Sequence, residues 1–243
     1  ATLTQREQSA VLAKPTSNTP AYEAYLRGLA AQQQSGDTVT MAIAARPHFA
    51  EAVRLDPAFA EAWRRLIQVQ SLLYTNRPEE NTPAALAALE QGAATVARLQ
   101  PDSDNAWLAL GYYRYRGLRD YAGAAEAFEK ALARAPNNSE AMASLAFVER
   151  RRGNMPDAMA HLSRALQLDP GNTNWLVSMG EFLAAVRRFP EARAAYDRAL
   201  VLLPDDSRLQ VNKISTYQSE GNLAAAQKLI DALPASAPDE MVL

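Results

Sequence analysis

At 243 residues, with 48% hydrophobic and 21% charged residues, the chain is long enough for one large domain or a repeat array. A net charge of −2, from 25 basic and 27 acidic side chains, gives no reason to expect nucleic acid as a partner of the whole chain. The absence of cysteine excludes disulfides, thiol nucleophiles and zinc–thiolate sites and leaves the compartment unread, while no apolar run reaches the ~20 residues of a membrane helix, so no membrane insertion is expected.

Alanine is the commonest residue and strand-forming runs of Val, Ile and Thr are missing, which predicts an all-α protein with close helix–helix contacts. The opening Ala1-Thr2-Leu3-Thr4-Gln5-Arg6-Glu7 lacks a basic region followed by an apolar stretch, the pattern of a secretion leader. A start at alanine points to a processed chain or an excised part of a longer one. Residues 3–13 predict a short amphipathic helix with Leu3, Ala10, Val11 and Ala13 on one side. Lys14 to Pro20, with two prolines and polar turn formers, predicts a linker, so residues 1–19 read as the end of a preceding region.

Six helical hairpins are expected next, over 20–57, 60–101, 104–136, 139–170, 173–204 and 207–234, with 235–243 as a frayed polar tail. In the first, Tyr22, Tyr25, Leu26 and Leu29 line one face of helix A, and helix B ends at Leu55-Asp56-Pro57. Proline lacks an N–H and disfavours the helical region in the residue before it, so the helix stops there. Pro47, inside that helix B, implies a kink or a later start. The second hairpin carries Trp63 and Leu66 and is over length, the surplus lying in the proline-bracketed loop Asn76 to Pro83. Helix A of the last three hairpins begins beside Ser139, Thr173 and Ser207, whose hydroxyls can cap free N–H groups. Gly153-Asn154 and Gly221-Asn222 supply left-handed turns, with Arg187-Arg188 in the corresponding place of the fifth. The final helix, about Leu223 to Leu233, is cut short by Pro234.

Pro57, Pro101, Pro136, Pro170 and Pro204 recur at spacings of 44, 35, 34 and 34 residues. Around the last three, Ala124, Ala158 and Ala192 correspond, as do Phe128, Leu162 and Tyr196, and Ala131, Ala165 and Ala199. With Trp107-Leu108-Ala109-Leu110-Gly111 as a first half and Ala124 to Leu132 as a second, the pattern resembles the tetratricopeptide repeat, although Arg114 stands where tyrosine is expected. The resemblance is strongest over Asp104–Pro204, looser over Tyr22–Pro57 and poor over Thr82–Pro101. It implies a right-handed superhelical solenoid of about six repeats that acts by binding. A narrower likeness is carried by Pro15 to Gly28, with its Thr16, Asn18, Tyr22, Tyr25, Leu26 and Gly28, and by Phe49 to Trp63. These stretches are similar to the junction where repeats open in bacterial multidomain signalling proteins: adenylate cyclases, Ser/Thr kinases and winged-helix regulators. That likeness implies a regulatory or sensory C-terminal region whose effector precedes Ala1.

Catalytic signatures are missing: no phosphate-cradling glycine loop, serine elbow or His-Glu-x-x-His. His48 and His161 fall in different hairpins, and Asp205-Asp206 and Glu79-Glu80 suit turns and helix ends. No enzyme activity, catalytic residue, cofactor or metal is expected.

In the tetratricopeptide family the inner face of helix A lines the binding groove. The resemblance implies that Asn105, Leu108, Tyr112, Tyr115 and Arg116 line it in the third hairpin, and Glu140, Ala143, Phe147, Arg150 and Arg151 in the fourth. The fifth adds Asn174, Val177, Glu181, Ala184 and Ala185, and the second Glu61, Arg64, Gln68 and Ser71. Aromatic and arginine side chains bury much area at modest entropy cost, so the expected partner is a peptide or helix with apolar anchors and an acidic group. The lysine/asparagine clamp of one subfamily lacks its residues, since Tyr112, Phe147 and Glu181 occupy one of its positions. Two further readings stand beside the scaffold: the regulatory domain, and a self-association module in which Trp107, Tyr112 and Tyr113 seed a homodimer. The cytoplasm is the expected compartment, or the periplasm if a membrane segment precedes the chain.

Overall fold

The structure, a computed structural model, describes residues 15–32 and 37–233; the helix expected at 3–13 and the tail at 235–243 lie outside them. Among the described residues all regular structure is helical, as the composition predicted. The α-helices are α1 (Thr19–Ala31), α2 (Thr38–Leu55), α3 (Ala60–Asn76), α4 (Pro83–Leu99), α5 (Asp104–Tyr112), α6 (Tyr121–Arg134) and α7 (Ser139–Arg151). They continue as α8 (Met155–Leu168), α9 (Thr173–Ala185), α10 (Phe189–Leu202), α11 (Ser207–Glu220) and α12 (Leu223–Ile230). A single 3₁₀ turn, Pro78–Glu80, sits in the long loop after α3, and a π-helical turn, Tyr113–Leu118, follows α5. The chain divides into two compact units after Asn154, within the fourth sequence hairpin.

The recurring prolines end helices as expected. Asp56, Gln100, Ala135 and Leu203 each precede one of them and leave the helical region, with φ of −137°, −135°, −137° and −131°. Of the two effects expected of Pro47, the later start is overturned, and the helix runs through it. It neither delays α2, which starts at Thr38 behind the Asp37 carboxylate that accepts from Val39 N and Thr40 N at 2.8 and 2.9 Å, nor ends it. Both Pro47 and Ile43, whose carbonyl loses its helical donor, are exposed, so water can take that bond. The caps shift by one residue as well. Asn138, Asn172 and Asp206, rather than Ser139, Thr173 and Ser207, accept from the first-turn amides of Ala141 (3.0 Å), Trp175 (3.3 Å) and Arg208 (3.0 Å). Each holds the extended conformation of an N-cap, and the hydroxyl residue after it is already helical. Gly153 and Gly221 take the left-handed conformation at φ 81° and 83°, and Arg187 does so at 61° in the fifth hairpin.

In the first unit, Phe49, Phe59 and Leu73 are fully buried with Ala21, Ala24, Ala45 and Ala52, while Phe128, Leu89, Val96 and Leu108 pack with Ala106, Ala124 and Ala131. Alanine at the recurring positions lets helices approach, and the aromatic between them fills the space. A methyl group on Gly111 would overlap the Phe128 ring, and one on Gly180, in the second unit, would overlap Tyr196. That second unit has its own core, with Leu166, Leu176, Ala199 and Leu209 in one cluster and Leu183, Ala192 and Tyr196 in another.

The third hairpin departs from the fifth. Sixteen positions separate Gly180 from Tyr196, but seventeen separate Gly111 from Phe128. The additional residue is absorbed as the π-helical turn Tyr113–Leu118, closed by Arg119 in the left-handed conformation at φ 55°. It replaces the hairpin's plain α-helical exit and carries Tyr115 and Arg116.

Candidate protein-interaction surface

Helix A of successive hairpins presents one polar face in the first unit. On α3 that face runs through Glu61, Arg64, Gln68 and Ser71; on α5 and the π-turn it holds Tyr112 and Arg116. On α7 it runs through Glu140, Ser144, Phe147 and Arg151. The Arg64 guanidinium, 4% exposed, donates to both Glu61 and Glu140 at 2.5 Å. Arg65 reaches the second Glu140 oxygen at 3.1 Å. The Tyr112 hydroxyl donates to Glu140 at 2.7 Å and lies 3.1 Å from Ser144 Oγ, while Gln68 Nε2 stands 3.5 Å from it. From α1, the Tyr25 hydroxyl donates to Glu61 at 3.3 Å. Four helices of four hairpins are thus tied by one buried network.

The charges are matched inside that network. Burial pushes the Glu140 carboxyl up, but Arg64, Arg65 and the Tyr112 hydroxyl outweigh it and hold the pKa at about 2. Glu61 is likewise pushed up by burial and brought below its ordinary value by Arg64 and Arg65. Burial first, then the Glu140 charge, pushes the Tyr112 phenol up, so it stays a neutral donor. A charge pair this enclosed is costly to break from one side, because the remaining ion stays desolvated.

The residues expected to line the groove divide. Leu108 is 1% exposed and Tyr112 3% exposed, so both are core residues. Leu108 is a correction: its position on α5 faces the packed helices, and it offers no surface to a ligand. Tyr112 reaches the face only through its hydroxyl, and its ring packs edge-on against Phe128 at 5.5 Å. Asn105 is half-buried and donates to Gln100 Oε1 at 3.0 Å. Tyr115, Arg116 and Phe147 are half-buried, and Arg150 and Arg151 are exposed at the end of α7. Glu181 is exposed on α9, in the second unit. Glu61, Arg64, Gln68, Ser71 and Glu140 each fall singly on groove positions in the sequence. Their pairing across as many as 76 residues of sequence was not visible, and Ser144 and Arg65 were missed because neither occupies a family groove position.

The aromatic trio expected to seed self-association is also split. Tyr112 is buried, a correction to its expected exposure. Trp107 is half-buried, its Nε1 donating to Asp102 at 2.9 Å and its ring under Lys130 Nζ at 4.5 Å. With Tyr113, Leu110, Ala93 and Ala97 it lines a cleft of about 310 Å³ between α4 and α5. Among the described residues no cluster of three or more His, Asp or Glu side chains is placed to hold a metal ion. Among the same residues, no helix is long and apolar enough to cross a membrane.

Two tetratricopeptide-repeat family models match the chain, one over residues 113–173 and another over 149–214. Over 213 residues the chain is 27% identical to cellulose synthase operon protein C of Komagataeibacter xylinus, a match that covers 86% of this chain and 16% of that protein. The chain therefore spans a small part of the curated relatives it matches. Among solved structures it resembles PilW, a type IV pilus biogenesis factor, with a TM-score of 0.65 at 17% identity, covering 93% of this chain and 98% of that one. It also resembles YrrB, described as a TPR protein with an unusual peptide-binding site, with a TM-score of 0.53 at 23% identity, covering 80% and 94%. At these identities the likeness is one of fold.

Proposed function

We propose that this chain, which carries tetratricopeptide repeats, is a protein-interaction scaffold whose first unit holds a peptide or helix against the helix A face. The observation that carries the reading is the division of that face. Its interior end is a buried ion network, whereas its outer end presents Tyr115, Phe147, Arg150 and Arg151 at or near the surface. Side chains anchored on a tied set of helices lose little freedom on binding, and aromatic and arginine residues are the types that dominate interface energy. A peptide with an apolar anchor for Tyr115 and Phe147 and an acidic group for the arginines fits that end. The peptide-binding site named for YrrB supports the same kind of ligand.

The test is selection of peptides from a displayed random library, followed by affinity measurement on the variants Tyr115→Ala and Phe147→Ala. Loss of a half-buried aromatic anchor should weaken a selected peptide by about tenfold or more. Selected peptides that bind both variants as tightly as the parent would place the interaction elsewhere.

A second reading, the array as the regulatory part of a longer signalling protein, is supported by the residues of the junction likeness. Asn18 caps α1 and also donates from Nδ2 to Leu55 O at 2.9 Å, and the Thr16 hydroxyl donates to Asp56 at 2.5 Å. The segment before α1 is thereby fastened to the end of α2, where movement of a preceding domain would act on the first hairpin. Sequencing the reading frame upstream of Ala1 tests it: continuation into a cyclase, kinase or DNA-binding segment agrees, and any other continuation refutes it.

A further inference from the structure

Arg116 is a cation of the helix A face that the ion network leaves out. The two carboxylates of that face, Glu61 and Glu140, are taken by Arg64 and Arg65. Among the described residues Arg116 makes no ion pair. Its Nη1 lies 3.5 Å from both Gln68 O and Ser71 Oγ, the far limit of hydrogen bonding, and its guanidinium carbon lies 5.7 and 5.5 Å from the ring centres of Tyr112 and Tyr115. A guanidinium has five N–H donors, and here most are unspent. Desolvation lowers its pKa and outweighs the nearby Tyr115, Tyr112 and Glu140, which raise it; Arg151, a like charge from α7, lowers it further. An anion brought by a partner would offset that desolvation.

The position of Arg116 follows from the residue that the third hairpin has in excess. The π-turn that absorbs the excess sets Arg116 against α3, beside Ser71, and π-turns of this kind recur at functional sites. The two tyrosine rings flank the guanidinium, which limits its freedom before any ligand arrives.

We infer that Arg116, with Arg151 beside it, is a seat for a carboxylate presented by an Asp or Glu of a partner segment. The inference rests on the scaffold reading above and names the chemistry that this site selects. The carboxylate would complete the charge matching that stops at Glu140 and release the desolvated guanidinium from its unpaired state.

The experiment uses the whole chain and simple anions. Acetate is titrated at constant ionic strength set with chloride, and the Arg116 Nε–H resonance and the melting temperature are followed, with inorganic phosphate as a second arm. A seat for carboxylate predicts a saturable shift of the Arg116 resonance and an acetate-dependent rise in melting temperature. Both should vanish in Arg116→Gln and weaken in Arg151→Gln. Arg116→Met, which keeps the apolar stem and removes the unpaired charge, should melt no lower than the parent without anion. A shift linear in acetate and equal to that with chloride overturns the seat, as does a markedly lower melting temperature for Arg116→Met, which would make Arg116 a structural residue. Saturation by phosphate at tenfold lower concentration overturns the assignment to carboxylate. Library-selected peptides separate this inference from the scaffold reading. If replacing their Asp and Glu by Asn and Gln leaves binding intact while Phe147→Ala abolishes it, the scaffold stands and the seat falls.

Discussion

Replacing Glu140 by Gln keeps the shape of the side chain and removes its charge, leaving Arg64, 4% exposed, with Glu61 as its one close anion. The Glu140 carboxyl moves from an ordinary 4.5 to about 2 on folding, and its side chain is 18% exposed, so solvent screens the pair little. At 1.36 kcal/mol per pKa unit the charge contributes about 3 kcal/mol to stability. The sign follows from a folded pKa below the unfolded one: the contribution is present above pH 4.5 and is lost as pH falls towards 2. Glu140→Gln should therefore lose about 3 kcal/mol at pH 7, within the range for breaking one side of a buried pair, and melt roughly 6–12 °C lower. Urea unfolding followed by circular dichroism, repeated from pH 7 down to about 2.5, measures the gap between parent and variant. That gap should narrow steadily below pH 4.5 as the parent loses the same charge. A gap that stays constant with pH would show that the ionised pair is not its source, and no gap at pH 7 would refute the network as a stabilising tie.

Two other perturbations test the packing and the capping. Gly111→Ala drives a methyl group into the Phe128 ring and should cost about 1–3 kcal/mol in urea unfolding, with Phe128→Leu in the same chain recovering part of the loss. Asn138→Ala should cost about 1 kcal/mol through the lost bond to Ala141 N, whereas Ser139→Ala should cost a few tenths at most; equal effects would contradict the reassigned cap.

The range of each interaction decides whether it is legible in the sequence. Helix ends at Asp56, Gln100, Ala135 and Leu203 were legible because a following proline acts on its immediate neighbour. The pairing of small residues with Phe128 and Tyr196 was legible because it repeats with the period. Caps at Asn138, Asn172 and Asp206 were misplaced by one because two adjacent polar residues both suit the role, and only backbone conformation separates them. The residue in excess between Gly111 and Phe128 stood in the sequence as a spacing of seventeen in place of sixteen. Its form, a π-turn rather than a longer loop, is set by the helices it packs against.

The sequence by itself determined an all-helical array of hairpins and the positions of their cores, since short-range sterics and a periodic apolar pattern need no knowledge of the partner helix. Only the tertiary structure decided which groove residues are surface and which are core. Leu108 and Tyr112 share the helix A face by numbering, yet their burial depends on what α3, α6 and α7 bring against them. It alone joined Arg64 to Glu140 across 76 positions and left Arg116 without a carboxylate. Charge matching depends on distance in space, and a linear sequence does not carry that distance.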